Sequence, residues 1–85
     1  MADPGKQVGI VTHFYDHLSV GIIKLSNEIK KGDVLRFVGN TTNFEQIIDD
    51  MQFEHEFVDI GKVDQEIGVK VKKKVRTKDK VYLVE

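Results

Sequence analysis

Apolar and polar positions alternate over short runs, and Gly, Asn and Asp residues interrupt them about every 8–12 residues, the spacing of strands in a small all-β domain. Val8 to Tyr15 sets Val8, Ile10, Thr12 and Phe14 against Gly9, Val11, His13 and Tyr15. This predicts a strand with apolar character on both faces. Asp16-His17 is a turn, and Ser19 to Leu25, rich in β-branched residues, is the return strand. Ser26-Asn27 ends it by turn chemistry. Lys31-Gly32-Asp33 is a tight turn in which Gly32 takes positive φ without steric cost. Val34 to Val38 is the next strand, closed by Gly39-Asn40.

Thr41-Thr42-Asn43 is a polar connector. In Phe44 to Phe53, strict alternation fails at Ile47-Ile48. A β-bulge near Asp49-Asp50 brings Ile48, Met51 and Phe53 to one side. A helix with Phe44, Ile47, Ile48 and Met51 on one face fits the same residues. Gly61 and Asp64 mark a turn, Glu66 to Val71 is an amphipathic strand, and Thr77-Lys78-Asp79 turns the chain into a last strand over Lys80 to Val84. Six or seven short strands call for closure, since open edges would template aggregation. The expectation is a small closed Greek-key β-barrel over residues 6–85, preceded by a tail at 1–5. Its interior is expected to hold Val8, Ile10, Ile22, Leu35, Phe37, Ile48, Met51, Ile67, Val69, Val71, Val81 and Leu83.

Composition narrows the class. The 85 residues contain no cysteine, which excludes a disulfide framework, a thiolate zinc site and a thiol nucleophile. No apolar run is long enough for a spanning helix, and the first residues lack a signal-peptide pattern. A cytoplasmic domain is expected. The net charge of −1 conceals an asymmetry. Residues 1–39 carry +1, residues 40–61 carry −6 with no Lys or Arg, and residues 62–85 carry +4.

Three segments together resemble the second-domain β-barrel of translation GTPases such as elongation factor Tu. They are Ile29-Lys30-Lys31-Gly32-Asp33-Val34-Leu35-Arg36-Phe37-Val38-Gly39, then Phe44-Glu45-Gln46 with Met51-Gln52, then Gly61-Lys62-Val63-Asp64-Gln65-Glu66-Ile67-Gly68-Val69. The chain also resembles the C-terminal barrel of collagenase-like peptidases and stand-alone elongation-factor-like proteins of this size. The resemblance implies a six- or seven-stranded barrel and favours strand over helix in Phe44–Phe53. It places Gln52 and Glu66 at the positions that meet the aminoacyl end of tRNA in the translation family. No Gly-rich phosphate loop is present, so no nucleotide is expected to bind.

The strongest binding signal is the run Lys70, Lys72, Lys73, Lys74, Arg76, Lys78 and Lys80, extended by Arg36 on an outward face. Such a ridge can follow a phosphate backbone. The reading is a non-catalytic module that contacts tRNA or ribosomal RNA. A solvated charged face is the competing account of the same lysines. The alternative function is a protein-interaction adaptor, or a self-associating barrel, in which Ile47, Phe57 and Ile60 form an apolar patch on the 44–60 surface. His13 and His17 flank a turn and His55 is remote in sequence, so no metal site is expected. Ser19 and Ser26 lack a nucleophile elbow, so no enzyme activity and no cofactor are expected.

Overall fold

The longest run, Lys6–Tyr15, forms strand β1, and the rest of the fold is laid against it. The computed structural model describes residues 5–84, which contain ten strands and no helix. Most of the expected tail, residues 1–4, lies outside the described residues. The other strands are β2 (Val20–Leu25), β3 (Ile29–Lys30), β4 (Val34–Val38), β5 (Asn43–Ile47) and β6 (Met51–Phe53). They are followed by β7 (Glu56–Phe57), β8 (Ile60–Gly61), β9 (Glu66–Lys70) and β10 (Lys80–Val84). Eight form one antiparallel sheet in the order β5-β4-β10-β1-β2-β9-β6-β7, and β3 pairs with β8. The protein is therefore all-β, with more and shorter strands than the six or seven expected. No described helix is long and apolar enough to cross a membrane.

Two irregularities in β1 decide which residues face the core. Gln7 pairs with Tyr82 and Gly9 with Val81, so Val8 is an extra residue; Val11 pairs with Ile23 and His13 with Ile22, so Thr12 is another. Each extra residue reverses the in–out alternation. Val8 and Val11 are both buried as a result, while Ile10, expected inside, faces outward and is 40% exposed. On β2 the inner face carries Gly21, Ile23 and Leu25, and the expected core residue Ile22 lies half-buried on the other side. Gly9 makes this packing possible, because a Cβ there would lie 2.6 Å from Ile23 Cγ2.

The ambiguous segment Phe44–Phe53 is two strands joined by a break. β5 pairs with β4 as far as Ile47, opposite Val34. Ile48 then exchanges main-chain hydrogen bonds with the turn beside it, donating to Asp33 O (2.9 Å) and accepting from Gly32 N (3.0 Å). After Asp50 the chain joins β9, with Met51 opposite Val69. Ile48 and Met51 are buried and Phe53 packs against the core. The side chain of Gln46, also buried, reaches from β5 to the exit of β9: Nε2 donates to Lys70 O (2.7 Å) and Oε1 accepts from Lys72 N (2.8 Å).

Three turns share one construction. In Lys30–Asp33, Lys62–Gln65 and Arg76–Asp79, the first residue's N–H donates to the side chain of the fourth, and the fourth residue's N–H donates back to the first carbonyl. The third residue has positive φ in each: Gly32 at 96°, Asp64 at 70° and Lys78 at 77°. A side-chain acceptor thus closes the outer N–H that such a turn would leave to water.

Candidate functional site

The outer face of β2, β9, β6 and β7 holds a groove of about 310 Å³ lined by Leu18, Val20, Asp50, Gln52, Phe57, Gly68 and Lys70. Alternation along β9 puts Ile67 and Val69 inside, so Glu66, Gly68 and Lys70 face out. Gly68 pairs with Ile22 on one side and Gln52 on the other. Its missing side chain leaves a trough, since a Cβ would sit 3.3 Å from Val20 Cγ1 and 3.4 Å from Ile22 Cδ1. Two apolar side chains stand at this groove largely in water, Leu18 at 62% and Phe57 at 72% exposure. Asp50 and Lys70 bring opposite charges to the same groove, and Lys70 N donates to Asp50 O at 3.3 Å.

A second cleft, of about 590 Å³, is lined by Val38, Gly39, Asn40, Arg76, Thr77, Lys78, Asp79, Lys80 and Tyr82. The segment 71–79 folds beside it with every fourth residue buried: Val71, Val75 and Asp79. Val75 packs over Gly21, where a Cβ would lie 3.1 Å from its Cγ2.

The basic residues expected from Lys70 to Lys80 line the groove, the second cleft and the loop between them. Lys70 belongs to the groove, Arg76, Lys78 and Lys80 belong to the second cleft, and Lys72, Lys73 and Lys74 are exposed on the loop between. Arg36 lies opposite Glu45 on β4 and β5, with Nε 3.2 Å from Glu45 Oε2, so its charge is already answered there. The contact is an ion pair rather than an aligned hydrogen bond, for Nε has no hydrogen-bond partner. Gln52 and Glu66 share the outer face, and Glu66 accepts a long contact (3.5 Å) from Thr12 Oγ1.

Ile47, Phe57 and Ile60 are all exposed and stand on three different strands. Ile47 sits on the edge strand β5 and Ile60 in the separate β3–β8 pair, while Phe57 faces the groove with Leu18. Alternation could not reveal the groove, because Leu18 lies in a turn and Asp50 in the break between β5 and β6. The Val71–Val75–Asp79 spacing was the one visible sign that the basic loop is anchored.

No known family profile matches the chain. The chain is 38% identical over 79 residues to a protein named uncharacterized protease MJ0090 of Methanocaldococcus jannaschii, a match covering 92% of this chain. The chain spans about a fifth of that relative's length (19%). In three dimensions it is similar to the C-terminal domain of a proposed U32 peptidase of Geobacillus thermoleovorans. The TM-score is 0.88 at 19% identity, covering 100% of this chain and 99% of the other. The selenomethionine variant of that domain gives a TM-score of 0.86 at 21% identity, over 91% and 98%. These two likenesses establish the fold.

The comparisons correct the functional expectations. The elongation-factor resemblance is overturned, since the relative is named a protease and the matching domain comes from a proposed peptidase. With it goes the reading as a translation-RNA binder, and the comparisons lend no support to the adaptor reading. The expectation of no enzyme activity is corrected by the same finding, since the relative is named a protease. The physical reason lies in the turns. Two of the three segments behind the resemblance contain Lys30–Asp33 and Lys62–Gln65, whose side-chain acceptors close the turn from within. Those letters record turn geometry in this chain.

Proposed function

We propose that this chain serves a U32-type peptidase as a polypeptide-holding β domain, with the groove at Leu18, Gln52, Phe57 and Gly68 as the place of contact. The observation that carries the reading is the pair of water-exposed apolar side chains, Leu18 and Phe57, at a trough whose floor is a glycine. An extended polypeptide offers alternating side chains for such apolar rims. Its main-chain amides match Asp50, Gln52 and Lys70, which supply acceptor, amide and donor. The 38% identity with a named protease makes polypeptide the fitting ligand class.

We further read the eight-stranded sheet as a closed Greek-key barrel. Supporting this, residues 43–53 pair with β4 in their first half and with β9 in their second. The Gln46 amide spans the interval between.

The test is a titration of the isotope-labelled chain with an uncharged, extended decapeptide carrying alternating leucines, followed by amide NMR. Saturating shifts at Leu18, Gln52, Phe57 and Gly68, abolished by Phe57→Ser, are expected. Absence of shifts at those residues at millimolar peptide overturns the reading.

A further inference from the structure

Arg76, Lys78 and Lys80 bring three positive charges to the cleft beside β10. Among the described residues the one ion pair is Arg36–Glu45, so none of these three cations has a carboxylate within pairing distance. Among the described residues Asp79 is the single acid lining the cleft, and its carboxylate is turned under the loop. There Oδ2 accepts from Arg76 N (2.8 Å) and the group lies against Gly39. Asn40 and the half-buried Tyr82 add neutral hydrogen-bonding groups to the lining.

The backbone that carries the cations is fixed on all sides. Lys78 N donates to Val11 O (2.7 Å), Val11 N donates to Asp79 O (2.8 Å), and Asp79 N donates to Arg76 O (3.0 Å). Lys80 is paired with Val38 on one side and Ile10 on the other. Lys78 itself holds φ at 77°, where the matching turn at Lys30–Asp33 uses glycine. The turn, shared in construction with Lys62–Gln65, thus fixes the backbone of Lys78 at the cleft.

From this geometry we infer that the cleft binds an oxyanion, either a carboxylate or a phosphate, borne on a larger molecule. Arg76 supplies a planar fork suited to two oxygens, and Lys78 and Lys80 supply mobile ammonium groups around it. Their unanswered charge raises the local concentration of anions. The volume, about 590 Å³, leaves room for the body of a ligand beyond the anionic group itself. The cleft shares no lining residue with the groove, so the inference stands apart from the polypeptide reading.

The test titrates the isotope-labelled chain with sodium phosphate in one arm and sodium acetate in another, chloride holding the ionic strength constant. Saturating amide shifts at Asn40 and across 76–80 are expected in at least one arm, and the tighter arm identifies the oxyanion class. The double variant Arg76→Gln/Lys78→Gly removes two cleft charges while keeping the Arg76 N–H and allowing positive φ. It should weaken binding at least about fivefold. A triple variant, Lys72→Gln/Lys73→Gln/Lys74→Gln, removes more charge from the same segment and should change affinity less than about twofold. Shifts that never saturate, or equal losses in the two variants, mean diffuse attraction and overturn the inference. The uncharged decapeptide should leave these amides unmoved, which keeps the two tests separate.

Discussion

The side chain of Gln46 acts as a main-chain rung for Lys72: its Oε1 accepts from Lys72 N–H at 2.8 Å, while its Nε2 donates to the carbonyl two residues earlier, Lys70 O, at 2.7 Å. A glutamine carries both an acceptor and a donor at one end, which is what an amide rung requires. Leucine has nearly the same volume and neither group. Gln46→Leu is therefore expected to cost roughly 2–4 kcal/mol, by leaving a partly buried N–H and C=O unpaired. Urea denaturation measures it. A loss below about 0.5 kcal/mol would mean that water serves the two main-chain groups equally well.

Gly39 and Asp79 form a second dependency. A Cβ at residue 39 would overlap the Asp79 carboxylate, which is itself buried and held by Arg76 N–H. Because the carboxylate cannot swing away without losing that bond, Gly39→Ala should destabilise by about 1–3 kcal/mol. In an Asp79→Ala background the methyl has room, so the same substitution should cost less than about 1 kcal/mol. Additive losses across this double-mutant cycle would show that the two residues do not meet.

The three turns with a positive-φ third residue allow a comparison free of packing. A methyl added at Gly32 would meet no atom within 4 Å, so Gly32→Ala isolates backbone strain. The expected loss is about 1–2 kcal/mol. At the matching position Asp64 already bears this cost, and Asp64→Gly should be neutral or stabilising by up to about 1 kcal/mol. Thermal unfolding of the two variants gives the signs directly, and a destabilised Asp64→Gly would refute the shared construction.

Strand placement was legible because turn residues and β-branched runs are local signals. The runs Val34–Val38 and Lys80–Val84 appear as strands with their expected bounds. Facing was legible only where alternation runs unbroken, as at Ile67 and Val69. In β1 the extra residues Val8 and Thr12 reverse the alternation twice, which sends Ile10 out and Val11 in. A bulge is a property of two paired strands, and one strand's letters do not announce it. The candidate sites were less legible still. Charge density pointed to Arg76, Lys78 and Lys80, but separating them from Lys70 and Arg36 needed the pairing of Arg36 with Glu45 and of Lys70 with Val20. Leu18 and Phe57 meet at one groove only after β7 is placed beside β6 and the 16–19 turn beside both.

Val75 links the core to the cationic loop, and its removal should separate stability from local order. It is 1% exposed, midway along a segment whose neighbours Lys72, Lys73, Lys74 and Arg76 are all in water. Val75→Ala removes two methyl groups above Gly21 and should cost roughly 2 kcal/mol. Because Lys78 and Asp79 remain bonded to Val11, the loss should fall first on the loop between Val71 and Arg76. Hydrogen exchange should then show faster exchange there while β1, β2 and β9 keep their protection. Uniform acceleration across all strands would mean instead that Val75 belongs to the single cooperative core and does not act as a local anchor.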